Sequence, residues 1–166
     1  MIAHLRIILD HNSDIFRDIH INSNNTLEQL HHAIVSAFKL NKEEMAAFYL
    51  SNQKWEQGEE IPLIGMEEGS YEMKDIIIGS IFNNEDTRLM YVQDFLTIWR
   101  FMIEVEEFLE TSTKEELPAT TLSFGEMPNE APKVQFVSEE QKEHDPYGDI
   151  LDDFNEFEQF NEFNEY

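Results

Sequence analysis

The stretch "NNTLEQLHHAIVSAFKL", residues 24–40, decides the fold class. Thr26 stands where a helix N-cap is wanted, and Gln29, three residues on, can reach back to complete a capping box. Leu27, Leu30, Ile34 and Phe38 recur at helical spacing with Ala33 and Ala37 beside them, so a helix over 26–40 has one apolar face. Such a face needs a surface to cover, and the flanking segments are strand-like. "LRIILD" (5–10) and "FRDIHI" (16–21) are short β-rich runs joined through "HNSD", a cluster of turn formers suited to a hairpin.

Beyond the helix, the tight turn "NKEE" leads into "MAAFYLS" (45–51), a returning strand. Residues 52–70 read as loop, carrying Trp55, Pro62 and three of the six glycines. "DIIIGSIF" (75–82) fits either a short helix or a buried strand, and Asp75 as a cap with "NNED" as an end favours the helix. "RLMYVQDF" (88–95) and "ATTLSF" (119–124) read as strands. "WRFMIEVEEF" (99–108) alternates, with Trp99, Phe101, Ile103 and Val105 on one side and Arg100, Met102, Glu104 and Glu106 on the other, the pattern of a half-buried antiparallel strand. The order ββα and then mostly β predicts an α+β fold, an antiparallel or mixed sheet with the main helix on one face. Its ββα-β start is β-grasp-like by analogy.

Charge and proline usage divide the chain. Residues 110–166 hold 16 acidic and three basic residues against 19 and eight in 1–109, and Pro118, Pro128, Pro132 and Pro146 all fall in the later part. The expected division is a domain over 1–125 and an acidic, largely disordered tail over 126–166. The net charge of -24 repels phosphate backbones, so direct nucleic-acid binding is not expected and a basic protein partner fits better. The chain has no cysteine, hence no disulfide, thiolate nucleophile or Cys-bound zinc. No signal-peptide or membrane-length apolar run stands out, which points to the cytoplasm and away from membranes.

Three blocks covering the first two-thirds of the chain resemble the plasmid ORF-three-like family, also labelled transposon-passenger or TnpR-like. In "IFRDI", Phe16 and Arg17 stand at that family's usual Trp-Arg. "TLEQLHHAIVSAF" is similar to its helix, with Leu27, Leu30, His31, Ile34 and Phe38 on matching positions and Phe48 following. "YVQDFLTIWRFMIEVE" (91–106) resembles its segment Tyr-x-Tyr-Asp-Phe-Gly-Asp-x-Trp-x-His-x-Ile-x-x-Glu. Tyr91, Asp94, Phe95, Trp99, Ile103 and Glu106 keep that pattern, while Gln93, Leu96, Thr97 and Phe101 replace its second Tyr, Gly, second Asp and His. The packing positions are retained and several polar ones are lost, as in a divergent member. The resemblance implies the fold and no defined activity. A resolvase role, which one label suggests, fits poorly with only four scattered arginines, Arg6, Arg17, Arg88 and Arg100.

Two readings compete for His31. As neighbours on a helix, His31 and His32 point about 100° apart and do not chelate one ion as an i, i+4 pair does. The first reading makes His31 a packed histidine bonded to neighbouring polar groups; the second pairs it with Asp94 for acid–base work or metal binding, assisted by Arg17 or Glu106. Asp94 on its own reads as a turn-closing carboxylate. Trp55, in a polar loop, is a candidate partner contact. So are Phe154, Phe157, Phe160, Phe163 and Tyr166 in "FNEFEQFNEFNEY", where a spacing of three walks successive rings about 60° round a helix and to alternate faces of a strand. Neither regular structure gathers them, the composition of a disordered contact segment. The sequence therefore predicts a non-catalytic protein-interaction module without cofactor or metal. The alternative is an unusual enzyme or metal-binding protein using His31 and Asp94.

Overall fold

The computed structural model describes residues 1–110 and 115–129. Seven strands are laid down: β1 (Ile2–Leu9), β2 (Phe16–Asn22), β3 (Ala46–Ser51), β4 (Glu60–Pro62), β5 (Arg88–Gln93), β6 (Trp99–Leu109) and β7 (Ala119–Phe124), with helix α1 (Leu27–Phe38) between β2 and β3. They form one sheet in the order β4-β3-β5-β6-β1-β2-β7. Every pairing is antiparallel. The result is the expected α+β class, a sheet with one main helix.

Register explains why one face is apolar. Phe48 lies opposite Tyr91, Tyr91 opposite Phe101 and Phe101 opposite Leu9. In the neighbouring row Leu89 faces Ile103, Ile103 faces Ile7 and Ile7 faces Arg17. Because side chains alternate along each strand, these rows share a face, and Leu27, Leu30, Ile34 and Phe38 of α1 close over it as one core. Arg17 is the charged member of an otherwise apolar row.

The capping box forms as the sequence predicts. The Gln29 N–H donates to Thr26 Oγ1 at 3.3 Å and the Thr26 N–H to Gln29 Oε1 at 2.8 Å. Thr26→Ala is expected to cost about 1 kcal/mol, the usual worth of an N-cap, read by urea denaturation; an unchanged midpoint would show that tertiary packing alone holds this end. The helix stops at Phe38 rather than 40, because Lys39 takes a left-handed φ of 54° and the Leu40 N–H returns to the Val35 carbonyl.

Other departures have local causes. β1 begins at Ile2, three residues before the apolar run suggested, because Ile2 finds partners in both Asn22 and Leu109. The segment expected to be all loop contains β4, whose three residues pair with Ala47–Tyr49 at the sheet edge, where a proline is tolerated. Asp75 does not cap the following helix. It ends a 3₁₀ turn over Met73–Asp75 and accepts from the Glu72 N–H, while α2 (Ile78–Ile81) is a single turn with Ile77 at its N-cap. β5 ends at Gln93, since Asp94 turns left-handed at φ 60°. No described helix is long and apolar enough to cross a membrane. From residue 130 onward the expected tail, including Phe154, Phe157, Phe160, Phe163 and Tyr166, lies outside the described residues.

Candidate functional site

At the C-terminal end of α1 the sheet leaves a recess of about 610 Å³. Arg17 enters it from β2, Gln93 and Asp94 from the end of β5, Trp99 from the start of β6, and residues 125–129 form a wall. Arg17 has only 8% of its surface exposed. Its guanidinium lies 5.0 Å from the centre of the Phe38 ring, and Nη1 donates to the carbonyls of Phe16 and Phe124, both at 2.8 Å. Among the described residues no carboxylate lies within ion-pairing distance of it. Burial lowers the Arg17 pKa from its ordinary value, and the group stays cationic. Among the described residues, carbonyl dipoles and a ring face are what stabilise a cation so placed.

Gly125 makes this geometry possible. Its φ is 77°, and a Cβ there would stand 2.6 Å from the Asp14 carbonyl oxygen, so the chain can turn against the residues just before β2 only without a side chain. Gln93, 1% exposed, donates its side-chain amide to the Asn41 carbonyl and ties β5 to the turn after α1. Asp94 closes the β5–β6 turn. Its carboxylate accepts from the backbone N–H of Leu96 and Thr97 and, at 2.6 Å, from the Thr97 hydroxyl. The Thr97 hydroxyl and these backbone bonds outweigh the small effect of burial and hold the Asp94 carboxyl below its ordinary range. Ile98 at the turn's far side has φ 57°, a conformation that costs a β-branched residue free energy. Between Asp94 and Ile98, Phe95 and Leu96 are exposed.

The structure brings Arg17 and Asp94 to one recess and leaves the other candidates elsewhere. His31 is 1% exposed, and its Nδ1 shares a hydrogen bond of 2.7 Å with Tyr91 Oη inside the core. Its bond is thus to Tyr91, while the carboxylate of Asp94 is engaged in its own turn. The motif's usual histidine position is taken by Phe101, buried between Phe38 and Tyr91. Glu106 meets Arg6 at 3.6 Å. There Arg6 also grips the buried Asp18 through Nε at 2.8 Å and Nη2 at 3.0 Å, with His4 Nε2 a third partner at 3.0 Å. Burial alone would raise the Asp18 pKa; the bonds from Arg6 and His4 prevail and lower it. Trp55 follows Ser51, which pairs with Arg88 at the opposite end of β3 from the Ala46–Gln93 pair, so it lies away from the recess and half-buried.

Sequence reasoning missed Gln93, Lys39 and Met127 as lining residues. For Gln93 a signal existed, as a polar residue closing the apolar run "LMYV". Among the described residues no three His, Asp or Glu side chains are grouped to hold a metal ion.

A family model described as plasmid pRiA4b ORF-3-like protein matches residues 1–159. The chain is also similar to a solved structure, a protein of unknown function from Methanosarcina mazei Go1. The TM-score is 0.65 and the identity 23%, over 74% of this chain and 68% of that one. This likeness speaks to the fold. No curated protein matches the chain.

Proposed function

The chain belongs to the plasmid pRiA4b ORF-3-like protein family, and on that premise we propose that it is a non-catalytic cytoplasmic module that binds another polypeptide. The recess at the end of α1 is its contact centre, and the acidic, aromatic residues 154–166 are a second contact segment suited to a basic partner. Arg17 carries the reading. A guanidinium withdrawn from water with no carboxylate beside it among the described residues costs free energy, and a recess that keeps one is suited to a ligand that completes it. The neighbouring turn supports the same view, since Leu96 is 95% exposed on a short, conformationally strained loop whose two ends line or adjoin the recess. The hydrogen bonds lend no support to acid–base chemistry by His31 with Asp94.

The test places a photo-crosslinking benzoylphenylalanine at Leu96, at Phe160 or, as control, at Tyr71, which is 70% exposed and away from the recess. Irradiated cells are expected to yield discrete polypeptide adducts from positions 96 and 160 and none from 71. Adducts absent at 96 would overturn the recess as contact centre; adducts absent at 160 would overturn the second segment.

A further inference from the structure

Resting on that reading, we propose that the recess captures the C-terminal end of a partner chain, with Arg17 receiving its terminal carboxylate and acidic residues of the rim receiving a nearby basic side chain. Arg17 Nη1 is committed to the carbonyls of Phe16 and Phe124. Nε and Nη2 have no hydrogen-bond partner among the described residues, and they form the edge of a guanidinium that meets a carboxylate with two parallel bonds. The group is held in place before any ligand arrives, by the two carbonyls and the Phe38 face, so little side-chain freedom is lost on binding.

The charges around it narrow the ligand. Among the described residues, Arg17 and Lys39 line the recess together with Glu44, Asp94 and Glu126. With three carboxylates to two cations, in a chain of net charge -24, a doubly charged phosphate is repelled, whereas a single carboxylate accompanied by an ammonium or guanidinium answers both signs. Leu40, Trp99 and Met127 add apolar wall, which suits a bulky terminal side chain. Size points to a chain end. An internal segment must enter and leave, and about 610 Å³ lies within the range that holds one drug-sized ligand, comparable with a short peptide. Capture of a terminal carboxylate by fixed donors is a known mode of peptide recognition.

Full-length protein labelled with nitrogen-15 is titrated with the tripeptide Lys-Leu-Phe as free acid, with its C-terminal amide, and with free phenylalanine. The acid is expected to give saturable shifts at Lys39, Asn41, Gly125 and the Gln93 side-chain amide, with the amide at least about tenfold weaker. Arg17→Lys, which keeps the charge and loses the fork, should weaken the acid about tenfold while the spectrum stays dispersed. If that variant unfolds, the acid–amide comparison on unaltered protein carries the test. Equal affinity for acid and amide overturns carboxylate capture and leaves the polypeptide-binding reading standing. Free phenylalanine binding as tightly as the tripeptide makes this a small-molecule site and overturns the proposal, as do shifts confined to other surfaces.

Discussion

Phe101→Ala is expected to lower the unfolding free energy by about 4 kcal/mol, the cost of removing a fully buried aromatic whose surroundings relax only in part. Phe101 has no exposed surface. Its ring centre lies 4.6 Å from that of Phe38 and 5.7 Å from that of Tyr91, which in turn is 5.0 Å from Phe48. The substitution therefore opens a cavity beneath the last turn of α1, the turn whose Phe38 ring supports Arg17. A partial loss of peptide affinity is expected along with the stability, because the recess floor and the core share that ring. Met102→Ala, on the next residue of the same strand and on the opposite face, is the control and should cost about 1 kcal/mol. Urea denaturation separates the two; equal losses would show that the aromatic cluster is not the centre of the core.

How far the fold was legible depends on the physical origin of each signal. α1 declared itself because helical period and capping chemistry agree over the same residues, and β6 because Phe101 and Ile103 alternate with residues that meet solvent. Such consistency between local preference and packing is what makes a segment readable. β4 left no such trace. Its "EIP" is three residues long, too short to show alternation, ends in proline and is a strand only because β3 offers it an edge. Asp75 is a related case: an aspartate before an apolar run satisfies the N-cap rule, but the backbone spends three residues in a 3₁₀ turn first. The recess was legible only in its parts. Arg17, Asp94 and Trp99 all stand in the blocks that carry the family likeness, yet they are drawn from β2, the β5–β6 turn and β6, and their meeting depends on register and on Gly125. No local pattern encodes that.

Lowering the pH from about 7 to about 4.5 should remove on the order of 2 kcal/mol of stability through His31. Burial, with a smaller contribution from the neighbouring His32, depresses the His31 pKa from 6.5 to about 4. The sign follows from which state takes the proton. In the unfolded chain His31 protonates as pH falls through about 6.5, whereas in the folded chain it stays neutral down to about 4, so between those values acid favours unfolding, and below the lower one the loss levels off. The hydrogen bond to Tyr91 does not reverse this, because that hydroxyl is itself buried and kept neutral, its pKa pushed up by burial, and so offers no counter-charge. His31→Gln keeps a polar group for Tyr91 and removes the titration. Its stability should accordingly be lower than that of the unaltered protein at neutral pH but flatter between about pH 6.5 and 4, and the two urea-midpoint curves should converge. The same variant bears on the choice between a packed and a reacting histidine. A residue whose role is to join α1 to β5 leaves peptide binding at neutral pH unchanged once folding is complete, whereas a group acting on a ligand does not. Parallel pH curves for the two proteins would remove His31 as the titrating group, and lost binding in a fully folded His31→Gln would return it to the functional site.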